Sequence, residues 1–154
     1  MSSRAEINPR LARGGALLHL LGGATGVVAL RAALHKGPGD GRTLTGAHII
    51  AHSGANMLLG LAPVVRASDA GPALGRLIEW SALGATYLNW FAILCRGLWA
   101  FPPPGQVFQL DPESVTPPHR EKVERAIPVM LLYGVIPLTF ICSIATLGAL
   151  RHRR

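Results

Sequence analysis

The chain has 154 residues, 49% of them hydrophobic and only 15% charged, with a formal net charge of +7. Soluble globular chains are about a quarter charged, so this composition, with a mean hydropathy of +0.34, points away from a soluble domain and towards one small polytopic membrane domain over 1–154. Its basic residues gather at the ends of apolar segments (Arg4, Arg10 and Arg13; Arg151, Arg153 and Arg154), and no Lys/Arg run alternates with aromatics. The charge therefore fits lipid headgroups and membrane orientation, and no nucleic-acid partner is expected.

Four spans are predicted, at about 12–34, 44–65, 74–99 and 127–150. The fold class is all-α, an integral membrane four-helix bundle. The first span holds His19, read as a packing or interfacial residue, and Gly22 and Gly26, a GxxxG pair that allows close helix approach. The loop HKGPGDGR, with Pro38 and three glycines, cannot continue a helix.

The second span carries the most informative stretch, TGAHIIAHSGANMLLGL, Thr45 to Leu61. Here His48, His52 and Asn56 recur at steps of four and form one stripe on a helix. Two imidazoles and an amide are costly in hydrocarbon, so a functional site is the default reading.

A short polar loop leads to the third span. Glu79, Thr86, Asn89 and Arg96 fall on one arc of about 100° there, flanked by Tyr87 and Trp90. Glu79 and Arg96 can mark the two membrane boundaries. Asn89 sits mid-span, where its amide needs a partner, either packing glue between helices or a ligand. Three consecutive prolines, Pro102 to Pro104, forbid a helix at the start of the next interval. A helical turn is expected after Pro118, with Glu121 and Arg125 paired at i, i+4. The fourth span should kink at Pro137. Its hydroxyls can bond their own backbone; Tyr133 is the potential donor to watch.

Cys95 and Cys142 have no CxxC or metal-ligand spacing and read as buried thiols. Nothing at the N-terminus resembles a cleaved signal peptide. An even number of spans puts both termini on one side, and the Arg-rich ends place that side in the cytoplasm. A multi-pass protein of the inner (cytoplasmic) membrane is expected.

Imidazole in a bundle suits haem iron, with His48, His52 and His19 as candidates. Chelation of zinc by His48 and His52 lacks an HExxH and a convergent carboxylate. Ser53 follows His52, but no buried aspartate completes a triad. Either a bis-histidine haem carrier or a one-histidine Lewis-acid site remains open. So does a non-catalytic membrane subunit.

Thr86-Tyr87-Leu88-Asn89-Trp90-Phe91-Ala92 resembles the TYxNWxA segment of hydroxylaminobenzene mutases, small four-span membrane enzymes that turn arylhydroxylamines into aminophenols. Ala51-His52-Ser53-Gly54 resembles the AHSG segment of the related styrene oxide isomerases. The resemblance covers about residues 17–98. It implies an isomerase in which His52 ligates haem b and Asn89 lines the pocket with Tyr87 and Trp90; on that reading Asn56, Asn89 and Tyr87 orient a small aromatic substrate, and His48 either contacts a haem propionate or lies near the interface. It also implies a homo-oligomer, a trimer. Both families place Asn-Gly six or seven residues after the histidine, where this chain has Leu58 and Leu59. The isomerase's third-span aspartate and tyrosine are replaced by Ala85 and Ile93. The third-span departures favour arylhydroxylamine over aryl epoxide rearrangement and leave open a sibling with another substrate.

Overall fold

A computed structural model of the chain describes residues 8–34, 36, 39–68, 71–99 and 118–151. These residues form helices and no strand. The helices are α1 (Pro9–Ala33), α2 (Gly41–Ala67), α3 (Pro72–Trp99) and α4 (Pro118–Met130), the last running through a π turn (Leu131–Val135) into α5 (Ile136–Arg151).

Local chemistry explains the helix starts. Pro9 and Pro72 open α1 and α3 at positions where a missing N–H costs nothing. The Asn8 side chain accepts from the Arg10 and Leu11 amides, and Asp40 accepts from the Thr43 amide to cap α2. Gly39 turns the chain into α2 with a φ of +99°, a value that favours glycine. The Asp40 amide then donates to the Gly97 carbonyl at 2.8 Å, tying this turn to the end of α3.

α1, α2 and α3 pack around one another, while α4 and α5 rest on α3. The packed interior is rich in small residues: Ala29, Ala47, Ala51, Ala55, Ala62, Ala82 and Ala92 are all buried, among a few large ones, Leu11, Leu18, Leu44, Leu58 and Ile78. Large apolar side chains such as Leu20, Val27, Trp80, Phe140 and Ile144 face outward. Water-soluble cores are built the other way round; small residues inside and large ones outside suit helices that meet lipid.

Three helical stretches are long and apolar enough to cross a membrane: Pro9–Ala33, Gly41–Ala67 and Arg125–Arg151. α3, the third expected span, is equally long, but Glu79, Asn89 and Arg96 dilute its apolar character and it does not join this set.

The expected kink at Pro137 takes a definite form. The Ile136 amide reaches back five residues to the Leu131 carbonyl, so the helix widens by one residue just before the proline. That turn absorbs the ring and the missing N–H without ending the helix. Tyr133, on the turn, points outward and is 74% exposed. The proline-rich interval and the Glu121–Arg125 pair lie outside the described residues and side chains.

Candidate functional site

The α1–α2 contact explains how three histidines come together. Gly15 and Gly22 on α1 are buried against α2, where a Cβ on Gly15 would lie 3.0 Å from the Ala55 carbonyl oxygen. A Cβ on Gly22 would lie 2.9 Å from Ala51 Cβ and 3.2 Å from His52 Nε2; one on Gly26 would lie 2.7 Å from His48 Nδ1. The GxxxG pair thus does what its spacing implies, and imidazoles fill the space that its missing side chains leave.

His19 joins them from α1. Its Nδ1 lies 2.7 Å from His52 Nδ1, and its Nε2 lies 3.2 Å from Asn56 Oδ1. His48 Nδ1 donates to the Gly22 carbonyl at 2.8 Å. The His48 and His52 rings meet edge to face at 4.5 Å, and those of His19 and His52 are tilted at 4.9 Å.

With the rings neutral and the Asn56 oxygen towards His19, these contacts assign the protons. An amide oxygen only accepts, so His19 Nε2 carries hydrogen. In a neutral ring, His19 Nδ1 is then bare and accepts from His52 Nδ1–H. His52 in turn keeps an unprotonated Nε2, beside Gly22. The same logic leaves His48 Nε2 bare, because its Nδ1 must donate to a carbonyl. Asn56, His19 and His52 form a relay that presents one nitrogen lone pair. His19, read from the sequence as a packing residue, is its central member.

The residues expected on α3 do not join this cluster. At about 100° per residue, Gly14 and Thr25 lie some 120–140° around α1 from His19. Those are the positions that α3 reaches: Tyr87 Oη donates to the Gly14 carbonyl at 2.8 Å, and Trp90 Nε1 to Thr25 Oγ1 at 3.2 Å. Asn89 lines a separate cleft of about 260 Å³ with Ser53, Thr86 and Thr139. Ser53 and Met57 lie roughly 100–140° around α2 from His52. Within one chain the histidines therefore occupy the outer groove of the α1–α2 pair, away from α3. Tyr87, Trp90 and Asn89 serve other faces.

Further along α3, the Glu79 carboxylate, 8% exposed, takes a 3.1 Å ion pair from Arg10. This joins α3 to α1 at one end of the molecule. Arg96 is buried near the other end, and Cys95 and Cys142 are free thiols.

Among the described residues no set of three or more His, Cys, Asp or Glu side chains is arranged to hold a metal ion. Two ligands of one tetrahedral zinc lie roughly 3.3 Å apart, whereas His19 and His52 share a proton across 2.7 Å. The donor chemistry does fit a group that takes a single imidazole, as haem can. His52 offers a bare Nε2 while its other nitrogen is held by a partner, the usual support of a metal-bound histidine. Gly22 lies beside that nitrogen, where a Cβ would come within 3.2 Å of it.

No protein-family model, no curated protein and no solved structure matches the chain.

Proposed function

We propose that this chain is a four-span membrane isomerase that rearranges a small aromatic substrate, an arylhydroxylamine to an aminophenol, with His52 as the one protein ligand of haem b. The observation that carries the reading is the Asn56–His19–His52 relay, which leaves His52 Nε2, beside Gly22, as a bare lone pair. Haem, when bound, supplies a Lewis-acidic iron for polarising a heteroatom bond.

The residues of the chain have separate tasks in this reading. His19 holds the ring of His52 and its tautomer. Asn56, at the exposed end of the relay, is available to the polar end of a substrate. The apolar outer surface concentrates an aromatic molecule from the bilayer and keeps water from the reacting bond. His48 clamps α2 to the Gly22 carbonyl and takes a supporting role. Because the histidine groove faces outward, a second copy of the chain completes its walls, in keeping with a homo-oligomer and the trimer that the resemblance implies. Both termini lie on the cytoplasmic side of the inner membrane.

The bis-histidine carrier is less well supported. A carrier would need two imidazoles with room for the cofactor between them. His48 and His52 instead meet edge to face, with their ring centres 4.5 Å apart. Aryl epoxide rearrangement of the styrene oxide isomerase type remains the alternative activity.

The absorption spectrum of detergent-purified protein tests the proposal. A Soret band, turnover of phenylhydroxylamine, loss of both in His52→Ala and retention of haem in His48→Ala are expected. A colourless, metal-free protein would refute it in favour of a non-catalytic subunit. Loss of haem in both variants would instead favour the carrier.

A further inference from the structure

α1 and α3 run in the same direction, and the bonds between them fix how they face. Arg10 reaches Glu79, Tyr87 reaches Gly14 and Trp90 reaches Thr25. α2 packs on both helices and closes one flank of this seam. The fourth helix lies on the far side of α3, where a Cβ on Gly84 would meet Leu138 and one on Gly134 would meet Leu88. The remaining flank is open. At about 100° per residue, Arg13 lies some 60° around α1 from Arg10, while Arg76 and Trp80 lie about 60° and 100° around α3 from Glu79, in the opposite sense. Opposite turns on two parallel helices that face each other lead to the same side. Arg13, Arg76 and Trp80 therefore share the open flank, and all three are exposed.

The arginines at this end of the bundle divide into two kinds. Arg66 and Arg151 stand in the last turns of α2 and α5, where the helix dipole favours a cation. Arg10, Arg13 and Arg76 stand in the first two turns of α1 and α3, where the dipole opposes one, and neither helix has an acidic residue in its first turn. Membrane orientation would be served as well by cations at helix C-termini, so it does not explain their place. Among the described residues Glu79 is the one acid at this end, and it is paired with Arg10. Arg13 and Arg76 have no hydrogen bond or ion pair among the described residues. An anion on this flank would offset all three charges, and guanidinium groups suit phosphate oxygens in particular. Deeper along the same flank the surface is apolar, with Leu17 and Leu20 of α1 exposed beside Trp80 of α3. A soluble anion gains nothing from those side chains. A phospholipid uses both halves, with its phosphate at the arginines, its chains along the leucines and the indole at headgroup level.

We propose that the open flank of the α1–α3 seam is a binding site for one anionic phospholipid, its phosphate held by Arg13 and Arg76 with Arg10 beside them. The site lies across α1 from the histidine groove. It rests on the four-span reading and stands whether or not His52 holds haem.

Native mass spectrometry of the full chain in detergent, titrated with dioleoyl phosphatidylglycerol or dioleoyl phosphatidylcholine, tests this. One phosphatidylglycerol should bind at ratios where phosphatidylcholine does not. Arg13→Gln and Arg76→Gln should each weaken it about fivefold, as loss of one arginine near an anionic headgroup implies. Arg151→Gln removes the same charge from an exposed position at the same end and should leave the affinity unchanged. Glycerol 3-phosphate, which has the phosphate without the chains, should not displace the lipid. Insertion of the parent chain into phosphatidylcholine vesicles checks the spans separately: a chain that inserts but binds both lipids equally overturns the lipid site and leaves the four-span reading standing. Equal weakening by Arg151→Gln would overturn the proposal in favour of a diffuse basic surface, and displacement by glycerol 3-phosphate would overturn it in favour of a site for soluble anions.

Discussion

Gly22 and Gly23 are neighbours on α1, yet alanine should act on them in opposite directions. At Gly22 the new Cβ would meet Ala51 Cβ at 2.9 Å, inside the 3.4 Å at which ordinary contact begins. Neither methyl can rotate away, because each is fixed to its backbone, so the two helices must part by that shortfall, roughly half an ångström. The same movement lengthens the His48–Gly22 bond, now 2.8 Å, and the His19–His52 contact, now 2.7 Å. Both are then carried to the long edge of the normal hydrogen-bond range, roughly 3.2 Å. Overpacking of this kind costs about 1–3 kcal/mol. At Gly23 a Cβ meets nothing within 4 Å, and alanine gains about 0.5–1 kcal/mol from lower backbone entropy in the unfolded chain. Reversible unfolding in mixed micelles, followed by far-UV circular dichroism, reads both variants against the parent. Equal stability of the two, or a gain for Gly22→Ala, would refute the placement of Gly22 at the α1–α2 contact.

Asn56→Asp keeps an acceptor opposite His19 Nε2, so it should preserve the bare nitrogen of His52 and any ligand it holds; Asn56→Leu should weaken that ligand, read from the Soret band or from nitrogen-15 shifts of the imidazoles. Arg10→Ala should destabilise the fold by about 1–2 kcal/mol, because Glu79 stays buried without its partner while the arginine itself is mostly exposed. Glu79→Gln in the Arg10→Ala background should restore most of that loss in the same unfolding assay, and no restoration would mean that the ion pair does not matter.

Helix positions and the His48–His52–Asn56 stripe were legible in the sequence, because steps of four state which residues share a face of one helix. Which faces meet is a different question, answered by long-range packing. His19 shows the gap: nothing near it in the chain marks a partner, yet the glycines at 15, 22 and 26 set the α1–α2 separation that brings it to His52. Those glycines were the available signal, since His19 precedes the GxxxG pair by less than one turn. Asn89 shows the reverse case. Its polar arc and the histidine stripe look like two halves of one site, but they point to different flanks of α2. Pro137 was legible as a disruption, though not as a widened turn, because a proline can be absorbed in several ways and its neighbours decide which.

The Asn56–His19–His52 relay has a sense of direction, and one amide sets it. With its oxygen towards His19, Asn56 drives every proton one way, and His52 Nε2 ends the line as an acceptor. Half a turn of that amide would present its NH2 group instead and reverse each bond in sequence, so that Nε2 would end the line as a donor. The two arrangements have the same atoms and nearly the same shape, but one receives an electrophile and the other repels it. Asn56, the outermost and most exposed member, thereby governs the character of a nitrogen that it never touches.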